Sequence, residues 1–298
     1  MKKAVWMFEI CLLVFLSIPL GILPFRLSLK AGELYGLLLF YLWGSRRKIA
    51  LQNLRNSILS NAIIISEPIK KIVRDNFKNL GKSFAEIIKI YYGLGNKIID
   101  SVSIEGIENF DEAKLKGKGI LVITGHCGNW ELMSIASTSK HLRTAVVARP
   151  INNPYVNKFI ENVRQKYGNY VIYKQAALKP IIKTLKNNGS VGILMDQAVI
   201  SDEGYIIDFL GRGAWTTKMP ALIARKTGAT VLPAFIHRTS TGHKIEIYPG
   251  IELSKNSDME NAIKEDTAKF SGFIEKYIKE HPGEWLWIHR RWKRTGQD

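Results

Sequence analysis

Residues 120–131 read Ile120-Leu121-Val122-Ile123-Thr124-Gly125-His126-Cys127-Gly128-Asn129-Trp130-Glu131. Four successive apolar residues, three of them β-branched, predict a strand buried on both faces, as strands of a parallel sheet are. Gly125 and Gly128 let the backbone turn tightly, and a helix starts with a carboxylate five residues past the histidine. A strand that hands a histidine to its carboxyl end and runs into a helix belongs to an α/β sheet, in which active residues gather at strand ends.

The same alternation extends outward. Strands are expected at Gly119 to Thr124, Thr144 to Ala148, Tyr170 to Tyr173, Ser190 to Met195, Thr230 to Ile236 and Lys244 to Tyr248. Helices are expected near Trp130 to His141, Pro154 to Tyr167, Ala177 to Asn187, Lys218 to Lys226 and Met259 to Glu280. This predicts an α/β fold, a mostly parallel sheet with helices on both faces. Before it, Ser66 to Tyr92 is helical by spacing, with Lys70, Lys71, Arg74, Lys78 and Lys82 on its exposed face. No fixed-period repeat and no Gly/Ser- or Pro-rich linker divides this body.

The spacing of His126 and Glu131 suits a charge-relay pair, in which a carboxylate sets the imidazole tautomer of a general base acting on a hydroxyl. It does not suit a metal, because zinc ligands on one helix face sit four apart and His141, His237, His243, His281 and His289 form no second cluster. Two further polar groups follow apolar strands: Arg149 after Val146-Val147-Ala148, and Asp196-Gln197 after Val191 to Met195. Charge buried without a partner is costly, so their convergence on one sheet edge reads as a polar site. Arg149 is the candidate for phosphate binding or oxyanion support. No GxSxG elbow, dinucleotide fingerprint or Walker motif occurs, and no cofactor is expected. Cys127 is next to the histidine, but neighbouring side chains on an extended chain point apart, which argues against an acyl-cysteine.

At the amino terminus, Lys2 and Lys3 precede an apolar stretch from Ala4 to Phe25 broken only by Glu9, long enough as a helix to cross a bilayer once. No small-x-small cleavage site ends it, so an uncleaved anchor is expected. Arg26, Lys30, Arg46, Arg47 and Lys48 follow it, which favours a cytoplasmic body. Residues 1–45 thus read as an anchor and interfacial segment, and 46–298 as one catalytic domain. The net charge of +17 asks for an anionic partner: nucleic acid, a membrane surface or an acidic substrate. Two cysteines exclude a disulfide framework.

These residues resemble the bacterial late acyltransferases of lipid A biosynthesis, the lauroyl and myristoyl transferases, within the wider HxxxxD/E glycerolipid acyltransferases. The resemblance rests on six blocks in family order. They are His126 to Glu131 with Asn129 inside it, Arg149 to Pro154, Gly192 to Gln197, Asp208 to Arg212, Pro220 to Ala224, and the ending Trp285 to Lys293. It implies transfer of a fatty acyl group from an acyl carrier protein thioester to a hydroxyl of a glycolipid acceptor of the Kdo-lipid IVA type. The implied location is the cytoplasmic face of the inner membrane. Carried over, His126 is the base and Glu131 its partner; Arg149, Asn129, Asp196, Gln197 and Arg212 bind substrate or support the transition state. Arg290, Arg291 and Trp292 are candidate contacts to lipid or phosphate, although Trp285 and Trp287 read equally well as core. Phe209-Leu210 and Cys127 depart from common family residues. Two rivals remain: an acyltransferase of this fold with another glycolipid or glycerophosphate acceptor, and a membrane-tethered nucleic-acid-binding protein, which would leave His126 unexplained.

Overall fold

The computed structural model describes residues 2–295; residues 296–298 of the expected catalytic domain lie outside the described residues. Four long helices come first: α1 (Lys2–Ile22), α2 (Phe25–Leu42), α3 (Gly44–Leu59) and α4 (Ile69–Tyr91). The central part follows as α5 (Asn96–Asp100), β1 (Val102–Glu105), α6 (Ile107–Leu115), β2 (Ile120–Thr124), α7 (Trp130–Ser139), β3 (Thr144–Ala148), α8 (Pro154–Lys166), β4 (Val171–Tyr173), α9 (Leu178–Lys186) and β5 (Ser190–Leu194). The chain continues through β6 (Gly204–Phe209), β7 (Arg212–Thr217), α10 (Met219–Thr227), β8 (Thr230–Arg238), β9 (His243–Ile247) and α11 (Met259–Glu280).

Seven strands form one sheet in the order β1-β9-β8-β2-β5-β3-β4. Every neighbouring pair is parallel except β8 and β9. β2 sits at the centre, and its side chains divide by the period of two that a strand dictates. Leu121 and Ile123 enter a core that includes residues of α3, α9, α10 and α11, whereas Ile120 and Val122 enter a second core with residues of α6, α7 and α8. Helices therefore cover both faces, as the unbroken apolar run of β2 requires.

The expected strands and helices all form, with boundaries within three residues. β1 and the β6–β7 hairpin were not foreseen. The hairpin turns through Leu210 (φ 53°) and Gly211 (φ 75°), and Leu210 is held there by burial and by its N–H donating to Glu275 Oε2 at 3.0 Å. α2 and α3 extend helix beyond the anchor, and α2 packs closely on α4. A Cβ on Gly81 would lie 2.0 Å from the Gly32 carbonyl oxygen, and one on Gly36 would lie 2.1 Å from that of Phe77. The lysines expected on an open face of α4 are partly engaged there: Lys78 and Lys82 reach Glu33 of α2 at 3.0 and 3.4 Å. Lys89 is buried and donates to the carbonyl oxygens of Gly21 and Leu23, closing the carboxyl end of α1 where a cation is favoured.

This contact makes opposite predictions for two helical glycines. Gly81→Val forces α2 and α4 apart and lowers stability by about 1–3 kcal/mol. Gly272→Ala on α11 meets nothing within 4 Å and raises stability by about 0.5–1 kcal/mol. Denaturant titration of the two variants in detergent checks both signs.

Candidate active site

β2 ends at Thr124, and the next residues turn back on themselves so that His126 faces the carboxyl edge of the sheet. β5 runs parallel beside it, with Met195 N–H donating to the Thr124 carbonyl at 3.0 Å, which brings Asp196 directly opposite the histidine. The Asp196 carboxylate is 3% exposed. Its Oδ1 is 2.7 Å from His126 Nδ1, and its Oδ2 accepts from the His126 backbone N–H at 2.9 Å and from Trp285 Nε1–H at 2.8 Å. Burial alone would push this carboxyl up, but the imidazole charge and these donors outweigh it and hold Asp196 well below the usual carboxylate range. For His126, burial opposes the charged ring, yet the charge and hydrogen bond of Asp196, with a further contribution from Glu131, raise it above the ordinary imidazole value.

With Nδ1–H given to Asp196, Nε2 keeps its lone pair. The Gln197 amide Nε2–H donates to it at 3.1 Å. The ring lines a cavity of about 690 Å³ that runs under α7 between apolar side chains such as Val122, Met133, Leu142, Val146 and Ile193. Arg149, Lys174, Glu203 and Lys293 also line it, with Arg149 exposed and Lys174 paired to Glu203 at 2.7 Å. An apolar chamber that ends at a polar group is the shape of a site for a long apolar chain carrying one reactive head.

The expected pairing of His126 with Glu131 is not what the structure places on the ring. Glu131, one residue into α7, is taken by Arg164 of α8, whose Nε donates to Oε2 at 3.0 Å and whose Nη2 also binds Oε1. Asp196 takes the Nδ1 position because the parallel register of β2 and β5 sets it there, and Glu131 acts on His126 through its charge. Asn129 differs from expectation too. It is 3% exposed and does not line the cavity. Its side chain caps α7 by accepting from Leu132 N–H at 3.2 Å and donates to Glu86 at 2.8 Å. Glu86 is itself buried and paired with Arg238.

The ending of the chain also differs from expectation. Arg291 is fully buried, donating at 2.6 Å to both the Trp215 carbonyl and Thr216 Oγ1, and burial lowers its pKa to about 10. Trp292 is 1% exposed and donates to the Phe209 carbonyl at 3.2 Å, while Arg212 lies 3.8 Å from the Trp292 ring centroid and outside the cavity lining. Arg291 and Trp292 are not placed to touch lipid, because the ending folds back over the hairpin and buries both, and Arg212, expected to bind substrate, lies against Trp292 and not on the cavity wall. Arg290 remains exposed. Cys127 is 1% exposed and bridges to Trp285, and burial raises its thiol well above the ordinary value, so it stays protonated. The residues that sequence reasoning missed are Arg164, Trp285 in its role on Asp196, and Lys174 and Glu203 at the cavity, while Lys293 stood in the quoted ending without a role of its own. Trp285 and Lys293 carried a signal, their place in the Trp-rich basic ending. Among the described residues, no group of three or more His, Cys, Asp or Glu could hold a metal ion.

A family model described as bacterial lipid A biosynthesis acyltransferase matches residues 2–294. The chain is similar to a lipid A biosynthesis acyltransferase of Haemophilus influenzae, 24% identical over 233 residues that cover 74% of this chain and 70% of that one. It is similar to the lipid A biosynthesis lauroyltransferase of Escherichia coli, 24% identical over 273 residues, covering 91% and 87%. A phosphatidylinositol mannoside acyltransferase of Mycobacterium tuberculosis is 22% identical over 192 residues, covering 63% and 59%.

The pairing at Nδ1 makes a prediction about the ring itself. NMR titration of the imidazole of His126 gives a pKa above the ordinary value of about 6.5. Asp196→Asn lowers it, since the burial remains and the anionic partner is gone; Glu131→Gln lowers it less, having no hydrogen bond to lose.

Proposed function

Because the chain belongs to the bacterial lipid A biosynthesis acyltransferase family, we propose that it transfers a fatty acyl group from acyl carrier protein to a hydroxyl of a lipid A precursor. The acceptor is of the Kdo-lipid IVA type, made for lipopolysaccharide or lipooligosaccharide. One observation carries this reading: a histidine whose Nδ1 is held by a buried carboxylate sits at the polar end of an apolar cavity of about 690 Å³.

The acyl chain of the donor fills the cavity, and its thioester carbonyl stops beside His126. The acceptor hydroxyl displaces the Gln197 amide from Nε2 and gives its proton to that nitrogen as its oxygen attacks the carbonyl carbon. Asp196, already anionic, stabilises the imidazolium as it forms. The freed Gln197 N–H, beside the ring, supports the developing oxyanion, and the Arg149 guanidinium, which also lines the cavity, adds positive charge to the site. Collapse of the tetrahedral intermediate breaks the C–S bond, and the thiolate of the carrier takes the proton back from Nε2. No acyl-enzyme forms, in keeping with a buried, protonated Cys127. Glu131 and Arg164 act as a pair: the carboxylate favours the imidazolium, and the guanidinium holds the carboxylate in place.

Arg149, Lys174 and Lys293 at the cavity suit both a phosphorylated acceptor and an acidic carrier protein. Residues 1–45 attach the enzyme to the inner membrane with the catalytic domain on the cytoplasmic face, where a carrier-protein donor is found. One apolar helix, Lys2–Ile22, is long enough for membrane attachment. The phosphatidylinositol mannoside acyltransferase relative favours a second reading in which the same chemistry serves another glycolipid acceptor. The matched family and relatives are acyltransferases, which leaves the nucleic-acid reading without support.

Incubation with acyl carrier protein thioesters of several chain lengths and a tetra-acylated lipid A precursor yields a product heavier by one acyl group, read by lipid mass spectrometry. Transfer only to a mannosylated phosphoinositide shifts the assignment to the second reading. His126→Ala lowers the rate by about 10²- to 10⁴-fold; a rate near that of the parent enzyme rejects the assigned base. Intact mass during turnover shows no acyl adduct on Cys127.

A further inference from the structure

By length and composition α1 is able to span a bilayer: it has 21 residues and a mean hydropathy of 2.2. Its surroundings say otherwise. Asn153, 4% exposed at the start of α8, donates to the Trp6 carbonyl at 3.0 Å and to Glu9 Oε2 at 2.8 Å. Toward the other end, Ser17 Oγ and Tyr92 Oη are 2.8 Å apart, Gly21 lies against the Tyr92 ring, and Lys89 Nζ donates to the Gly21 carbonyl at 2.6 Å. Both ends of α1 are thus fastened to the catalytic body. α8 runs beside it, from Asn153 near Trp6 to Tyr167, whose hydroxyl donates to the Ile90 carbonyl at 3.2 Å close to Tyr92.

We propose that α1 does not cross the membrane but lies with α2 in the plane of one leaflet, so that the amino terminus and the active site face the same side. This rests on the reading of the chain as a membrane-bound enzyme. A crossing α1 in this arrangement would drag α8 into hydrocarbon with Lys158, Asn162, Gln165 and Lys166 exposed. Lysine charge and amide groups placed in hydrocarbon would go without water or partners, which is strongly unfavourable. The in-plane arrangement avoids this and accounts for Glu9, the one charge in the apolar stretch, which meets Asn153 instead of lipid. The occupant of the outer face is lipid: Val5, Phe8, Leu12, Phe15 and Ile22 of α1 and Leu38 of α2 are exposed to acyl chains. Lys2, Lys3, Arg26 and Lys30 are exposed near the helix ends for anionic headgroups. Because Asn153 follows the loop of Arg149 and begins the helix of Arg164, the anchor also seats the cavity mouth at the membrane surface.

The test uses the full-length chain with a protease-cleavable epitope tag added before Met1. Glu112→Cys in a Cys11→Ser background reports the side of the body through an impermeant maleimide. In inverted membrane vesicles, added protease removes the tag and the maleimide labels the Glu112→Cys site from the same face; in right-side-out spheroplasts neither reagent acts. A tag cleaved only in spheroplasts, with the body labelled only in inverted vesicles, overturns the proposal and leaves membrane binding intact. A second measurement places a fluorophore at Val5→Cys, Leu12→Cys or Ile22→Cys in the same background. The purified protein is bound to vesicles of phosphatidylethanolamine and phosphatidylglycerol carrying quenchers at known depth. The three sites report one similar depth if α1 is in plane; a deep Leu12→Cys site between two shallow ones overturns the proposal. Failure to bind these protein-free vesicles overturns it together with the membrane reading.

Discussion

The Asp196 carboxylate, sealed from solvent at the end of β5, accepts from the ring and the backbone of His126 and from the indole of Trp285. A buried carboxylate left without donors would be costly enough to be neutralised or expelled, so these three groups must stay where they are. The constraint reaches outward from there. The Cys127–Trp285 bridge, Gly128 N–H on the Glu284 carbonyl at 2.9 Å and Leu286 N–H on the His126 carbonyl at 3.1 Å clamp the catalytic turn between β2 and the chain's ending. That turn needs Gly128 at φ 54°, since a Cβ there would lie 2.1 Å from the Ile236 carbonyl oxygen. Behind it, Glu86 and Arg238 secure Asn129 and through it the first turn of α7. The acid–base chemistry of one imidazole is therefore built from residues spread over most of the chain.

The charge surplus divides by location once the fold is known. Lys78 and Lys82 hold α2 to α4 through Glu33, Lys89 closes α1, and Arg291 is a core group bonded to β7. Their positive charge serves packing. What remains for anionic partners lies at the cavity mouth, in Arg149 and Lys293, and along the amino-terminal helices. Exposed pairs such as Lys174–Glu203 add little stability of their own, and their effect at the mouth is a field that salt weakens.

Much of the sheet was legible because buried parallel strands are short apolar runs and the helices between them have their own period. β2, β3, β5 and β8 announce themselves this way. The β6–β7 hairpin does not: Gly204 to Thr217 mixes polar and apolar residues, and its turn uses Leu210 in a left-handed conformation that side chains rarely adopt. β1 is a short edge strand whose pairing with β9 follows an antiparallel return, which no local pattern encodes. In the site, His126 was legible from its place after a strand, and Arg149, Asp196 and Gln197 from theirs. Arg164 was not, because a charged residue on an amphipathic helix looks the same whether it faces water or a carboxylate.

The sequence by itself determined that this chain is an α/β protein with a histidine at the carboxyl end of a central strand, an apolar amino terminus and the blocks of one acyltransferase family. Those properties are local: periodicity, hydropathy and motif order need no knowledge of neighbours. Tertiary structure alone decided which carboxylate holds the histidine. Asp196 and Glu131 are both acidic and both near His126 in the fold, but only the register of β5 against β2 puts an oxygen 2.7 Å from Nδ1, while α8 claims the other. It also decided that the tryptophans of the ending are core and that α1 runs along the body. Composition counts apolar residues and charges, but only packing determines what each of them faces.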